Sequence, residues 1–511
     1  MRKQSLLKGT IILGVATIFA RFLGLFFRIP IQNLIGDQGM GYYQMSYPIY
    51  MTFVAIASGV PIAMSKLISE FNAKNDINSI EQVLKQTLKI MIPLGFIASF
   101  LMMYFGKSIV NFLKWDPKSY NSFMVISCGP VFVCIMCTFK GYFQGLQNMN
   151  STAVSQVVEQ LGRVLFGVLF AYILLPRGIE YAAAGAVFGT VIGGVFGSVY
   201  LGIKYFKVKG RGHGIKTKKD SEILGILTQA ALPISVGAAV GTIMALIDSV
   251  IVPQRLLVAG YTIEESAGLY GQFSGKAMTL QNIPLALSIA LCAALVPIVS
   301  ELYSMRNQRE LSRRIDMVFK LSFVIGIPSC LGLFFMAKPI MGLVFMGDIA
   351  GYEILKLLSL TIPLIIITQT TTSLLQSCGR YMMPVYYLGV GCIFKVIITY
   401  VLVGMPGMNI YGAVIGSIVG YGVTSILNII EVKRLLRVKI GFYEVFIKPL
   451  FISLIMIIAV VFIYNNVYNY TISNGISCLV AIAIGVTIYG ILAMVFRVFT
   501  FEDIRGKFTG K

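Results

Sequence analysis

The sequence is short of charge, of acids above all, and nearly without histidine and tryptophan. Asp, Glu, Lys and Arg make up 12% of its 511 residues, about half the share of a water-soluble protein. With 57% hydrophobic residues and a mean hydropathy of +0.82, too little polar surface remains to coat a soluble body. A disordered chain, a coiled coil, a collagen and a disulfide-stapled secreted domain are excluded on the same numbers. The one histidine, His213, stands in the basic stretch RGHGIKTKK. An intramembrane acyltransferase needs a His or Asp dyad within its spans, and a glycosyltransferase an acidic metal-binding loop; neither pattern occurs. The segment GQFSGKA around Lys276 is not a P-loop, because its glycine spacing is one short and Ala277 replaces the Ser or Thr. No enzyme is expected, and transport would draw on an ion gradient, the membrane potential or the substrate gradient.

What is present is a series of long apolar runs. A window of about 20 residues places fourteen spans, near 9–34, 43–65, 86–106, 120–139, 152–175, 182–203, 224–252, 269–298, 317–337, 354–376, 384–404, 411–430, 449–466 and 475–496. The fold class is therefore an all-α polytopic membrane protein. Lys plus Arg is 42 against 21 acids. In a soluble protein this excess would suggest nucleic acid; here it marks cytoplasmic loops, and no nucleic-acid partner is expected. With the N-terminus inside, thirty cations fall on the cytoplasmic side, seven on the outer side and five within spans. That asymmetry predicts cytoplasmic N- and C-termini. The eight cysteines lie in or beside apolar runs and read as small buried hydrophobes, the Cys134/Cys137 pair included.

The two large blocks resemble each other. Gln144 aligns with Gln376 and Arg163 with Lys395 at an offset of 232, and Ser69-Glu70 with Ser300-Glu301 at 231. Gly185, Gly189 and Gly193 match Gly412, Gly416 and Gly420 at 227. Each repeat holds six spans, so the two run parallel. The predicted organisation is an N-lobe over 1–203, a basic linker at 204–222, a C-lobe over 223–432, and two further spans with a tail over 433–511. A two-lobed transporter with alternating access and a central cavity is the expectation. The glycine ladders predict close helix packing in lipid.

Ionisable residues within spans are functional candidates, because burying one costs about 2.5–3.5 kcal/mol even on insertion scales. The cations are Arg21, Arg28, Arg163, Lys276 and Lys395; the acids are Glu159 and Asp248. Arg21 and Arg28 stand two turns apart on one face, extended by Gln32, and read as a strip for an anionic group. Lys276 is the C-lobe counterpart. Glu159 and Arg163, at i and i+4, read as a structural ion pair. Lys395 would line the cavity or reach water. Asp248 would couple transport to an ion or pair with a neighbouring cation.

The segments KGTIILGVATIFARFLGLFFRIPI, ASGVPIAMSKLISEFNAKND and GYFQGLQNMNSTAVSQVVEQLGRV resemble the stage V sporulation protein B group. That group stands in the polysaccharide-biosynthesis branch of the MOP exporter superfamily, beside the MurJ-type lipid II flippases. The resemblance runs over about 5–440. It implies a MATE/MurJ-like flippase in the bacterial cytoplasmic membrane, moving an undecaprenyl-pyrophosphate-linked glycan such as the lipid II peptidoglycan precursor for cell wall or spore cortex. It also implies essential cations on the first, second and eighth spans, of which Arg21 and Arg28 match the first and Lys276 the eighth. The second span has no cation before Lys66. Of a sodium site on spans 7 and 11, Asp248 is present, but span 11 offers Lys395. The resemblance implies no cofactor beyond Na+ or H+ coupling; partners would be the sugar lipid, membrane lipids and cell-wall synthesis enzymes. The alternatives are a flippase for a capsule or teichoic repeat unit, a MATE-like multidrug exporter, and a non-transporting scaffold.

Overall fold

The computed structural model describes residues 6–208, 220–305, 308–436 and 441–496, and every regular element among them is helical. This follows from the apolar composition: in lipid only a helix or a closed barrel satisfies its own backbone. The chain divides into two compact units, one reaching Gly275 and including Tyr400–Asn409, the other holding Lys276–Thr399 and the chain from Ile410 onward. The division thus differs from a break at the basic linker, whose residues 209–219, with His213, lie outside the described residues.

The first unit begins with α1 (Leu6–Ala57), interrupted at Gly36 (φ 67°, ψ −173°). Phe27 and Tyr43 are sixteen residues apart, which a straight helix would make about 24 Å. Their ring centroids are 6.2 Å apart, so the chain doubles back at Gly36, a conformation that glycine adopts without strain. One continuous-looking helix is therefore two antiparallel crossings. α2 (Gly59–Ala73), α3 (Ile77–Phe112), α4 (Ser119–Ile126), α5 (Gly129–Gly145), α6 (Met149–Leu174), α7 (Ile179–Val208), α8 (Asp220–Val258) and α9 (Ile263–Tyr270) complete it. α8 and α9, expected to open the second lobe, pack against α1, and α8 also against α2. The Gly36 end is tied together by polar contacts. Trp115 Nε1 donates to the Ser249 carbonyl at 2.8 Å, the Tyr42 hydroxyl to Asp116 at 3.0 Å, and Lys118 to Glu264 at 2.8 Å.

The second unit contains α10 (Met278–Ser304), α11 (Gln308–Phe335), α12 (Ala337–Val344), α13 (Tyr352–Leu358), α14 (Thr361–Ser377), most of α15 (Met383–Val403), α16 (Tyr411–Leu436), α17 (Lys448–Thr471) and α18 (Asn474–Val495). Between α9 and α10 the residues Gly271–Ala277 form a π-helical turn. The two C-terminal helices pack on each other, and α17 also on α11.

Among the described residues ten helical stretches are long and apolar enough to cross a membrane, or eleven with the bent pair α13–α14 taken as one. Two features reconcile this with fourteen spans. The first stretch, Ile12–Ala73, is two crossings because of the reversal at Gly36. α8 and α10 hold the expected seventh and eighth spans and are helical throughout. The glycine ladders pack as expected. A Cβ on Gly189 would collide with the backbone of Gly167 on α6, one on Gly193 with the Glu159 carbonyl, and one on Gly416 with the Thr399 hydroxyl on α15. Seven of the eight cysteines are buried.

Candidate functional site

The first unit encloses a column of polar side chains between α1, α5 and α6. Tyr43, Tyr47 and Tyr50 stand at i, i+4 and i+7, so they share one face of the returning half of α1. Their rings follow one another at 5.4 Å and 6.1 Å. Arg163 of α6 reaches into this face. Its Nη2 donates to the Tyr43 hydroxyl at 2.6 Å and its Nη1 to the Tyr47 hydroxyl at 2.9 Å. The guanidinium also lies 5.2 Å from the Phe27 ring centroid and 4.9 Å from that of Tyr47, contacts each worth about 0.5–2 kcal/mol. Arg163 Nε is buried and makes no hydrogen bond among the described residues.

The ion pair expected between Glu159 and Arg163 does not form. Glu159 instead accepts from Lys140 of α5 at 3.2 Å, while Arg163 pairs with no described carboxylate. The physical reason is packing: residues four apart on a helix can meet, but here α5 brings an ammonium to the carboxylate and α1 brings hydroxyls to the guanidinium. Arg163 therefore keeps its positive charge uncompensated by an adjacent acid. This matters more than the pair would have, because aromatic rings and hydroxyls hold a guanidinium in place without neutralising it.

Arg28, on the outgoing half of α1, is half-buried and within electrostatic reach of the Tyr43 and Tyr270 hydroxyls. The side chain of Arg21 lies outside the described residues. Gln32 is buried and donates to Asp37 at 2.7 Å beside the turn at Gly36. Asp248 of α8 is buried, 1% exposed, with Tyr270 in its field.

In the second unit the expected cavity cations are arranged differently. Lys276 is 1% exposed and donates to Asp348 Oδ2 at 2.6 Å. Lys276 therefore does not present an open charge. Asp348 lies in the loop between α12 and α13. Burial works against its carboxylate, but the hydrogen bonds from Lys276 and from the Ala350 N–H outweigh it and hold its pKa below the ordinary carboxylate value. Lys395 is also 1% exposed, on the part of α15 that the α16 glycines approach. It is enclosed by the packing of α15 on α16 and does not reach solvent.

Sequence reasoning missed the tyrosine face, Lys140 and Asp348. The tyrosine spacing was a usable signal: three phenols at 43, 47 and 50 on one side of an apolar helix. Lys140 stands just beyond the end of the fourth expected span and Asp348 in the loop between the ninth and tenth, where only packing reveals a partner.

This chain is similar to stage V sporulation protein B of Bacillus subtilis (strain 168), at 30% identity over 99% of this chain and 98% of that protein. It is similar to lipid II flippase MurJ of the same organism at 26% identity, with 89% and 86% covered. A solved structure of lipid II flippase MurJ in an inward closed conformation shares the fold, with a TM-score of 0.68 at 15% identity, covering 95% of this chain and 98% of that one. Residues 275–401 match the MatE family, and residues 6–303, more than half of the sequence, match the family described as Polysaccharide biosynthesis protein. The chain thus belongs to the polysaccharide biosynthesis protein family.

Proposed function

We propose that the protein is a flippase that moves an undecaprenyl-pyrophosphate-linked glycan, of the lipid II type, across a bacterial cytoplasmic membrane by alternating access. The observation that carries this reading is Arg163, held by two tyrosine hydroxyls and two aromatic rings and paired with no described acid. A guanidinium offers a planar fork of donors that matches phosphate oxygens, and the surrounding apolar helices strengthen its field. Arg28 on the facing half of α1 adds a second cation. The similarity to stage V sporulation protein B and to lipid II flippase MurJ supports a lipid-linked substrate. The excess of cations on alternate loops supports cytoplasmic termini. In this reading the protein makes no bonds itself. Asp248 serves as the coupling residue for Na+ or H+, and cell-wall synthesis enzymes are the expected neighbours.

The test is flipping by the reconstituted full chain in vesicles, with labelled lipid II and with a teichoic- or capsule-type lipid precursor. Wild type moves at least one of them, and Arg163→Ala slows that movement tenfold or more. Failure of wild type to move any prenyl-pyrophosphate lipid overturns the reading. The MatE match over 275–401 raises export of small cationic drugs instead. Five cations against two acids in the span interiors, away from the span ends, oppose a cationic cargo.

A further inference from the structure

The repeat matches Ser69-Glu70 and Gln144, which the phosphate-binding column does not use, meet in one place. α5 lies tightly on α2, because a Cβ on Gly145 would come within 2.6 Å of the Ile68 side chain and one on Gly141 within 2.8 Å of Pro61. Beside this contact a groove of about 510 Å3 opens between the end of α2 and the α5–α6 turn. Six polar side chains line it, Ser65, Lys66, Ser69, Glu70, Gln144 and Gln147, together with the apolar Ala73 and Met149. Lys66 and Glu70 stand at i and i+4, yet they form no ion pair. Among the described residues none of the six side chains is committed to a partner in the protein.

Gln147 is the telling position. It has φ 57°, in the left-handed region where a residue with a Cβ is strained. The repeat supplies an internal control: at the offset of 232 its counterpart is Gly379, with φ 79°. The two turns share their hydrogen bonds. Gln147 N donates to the Gln144 carbonyl at 2.9 Å and Asn148 N to Phe143 at 2.8 Å, while Gly379 N donates to Gln376 at 3.0 Å and Arg380 N to Leu375 at 2.9 Å. Such a helix-ending turn favours glycine at this position. The second repeat has the unstrained residue; the first keeps a strained one whose side chain lines the groove.

We propose that this groove is a binding site for the sugar headgroup of the transported lipid, with Gln147 a specificity-determining residue. The identity of the ligand rests on the flippase reading. Amides and hydroxyls both donate and accept, as a ring of sugar hydroxyls requires. The single Lys and single Glu add a donor and an acceptor with no net charge, which selects against a bare phosphate or a cation. The volume lies in the range that holds a compact organic ligand, roughly 300–1,000 Å3.

The probe is the β-1,4-linked disaccharide of N-acetylglucosamine, with binding to the detergent-solubilised full chain read by saturation-transfer NMR. Wild type is expected to transfer saturation to the sugar, and Gln147→Gly and Glu70→Gln to reduce the transfer fivefold or more. Gln147→Gly is expected to keep or raise the unfolding midpoint, since it adopts what Gly379 already has. No transfer from wild type overturns the inference, as does Gln147→Gly that binds like wild type or that loses midpoint together with binding. Lipid flipping without disaccharide binding defeats this inference alone. Disaccharide binding without movement of any prenyl-pyrophosphate lipid defeats the flippase reading alone.

Discussion

Arg163 Nη2 and the Tyr43 hydroxyl, 120 residues apart in sequence, are joined by a 2.6 Å hydrogen bond. The bond ties α6 to the returning half of α1 and orients the guanidinium. Hydrogen bonds to charged groups contribute about 1.5–3 kcal/mol. Tyr43→Phe is therefore expected to lower unfolding free energy by about that amount, measured by denaturation in detergent. In a double-mutant cycle with Arg163→Ala the two losses are expected to be less than additive. Strict additivity would show that the bond contributes nothing.

Asp348 is half-exposed while its partner Lys276 is buried, so the pair has an asymmetric vulnerability. Asp348→Asn leaves a buried ammonium without its carboxylate. The expected destabilisation is about 1–2 kcal/mol, below the loss for a fully buried pair because water screens the carboxylate side. The pH dependence follows from the lowered pKa of Asp348. Its stabilising contribution is fully present above the ordinary carboxylate pKa of about 3.9 and is lost as pH falls through the lower folded value. An acid titration of wild type against Asp348→Asn should converge at low pH. Curves that stay parallel below pH 4 would contradict this.

The glycine ladders predict sharp size limits. Gly189→Val and Gly416→Val place a side chain against Gly167 and against Thr399 respectively, and overpacking of this kind costs about 1–3 kcal/mol. Gly225, with nothing within 4 Å of a built Cβ, provides the contrast: Gly225→Ala should be neutral or slightly stabilising. Thermal midpoints of the three variants decide the matter, and equal midpoints would refute the packing account.

Asp248 lies buried in α8, and the flippase reading proposes it as the coupling residue. Asp248→Asn is expected to remove the response of lipid flipping to an imposed Na+ or H+ gradient while leaving lipid binding intact. An unchanged gradient response would remove Asp248 from the coupling role.

Helix positions were readable because they follow from the solvent. An apolar run of about 20 residues has one stable form in lipid, so each of the fourteen runs is helical, and glycines at matching offsets pack as ladders. Even the reversal at Gly36 was implicit in the gap between the first two runs. The partners of individual charges were not readable in this way. Spacing allows Glu159 to meet Arg163, but it equally allows each to meet a residue from another helix. Tertiary packing gave Glu159 to Lys140, Arg163 to the tyrosines and Lys276 to Asp348. Composition and periodicity thus determined that this chain is a bundle of membrane helices carrying more cations than acids. Which cation remains uncompensated was decided only when helices remote in sequence came together, because a charge selects its partner by distance in space and not along the chain.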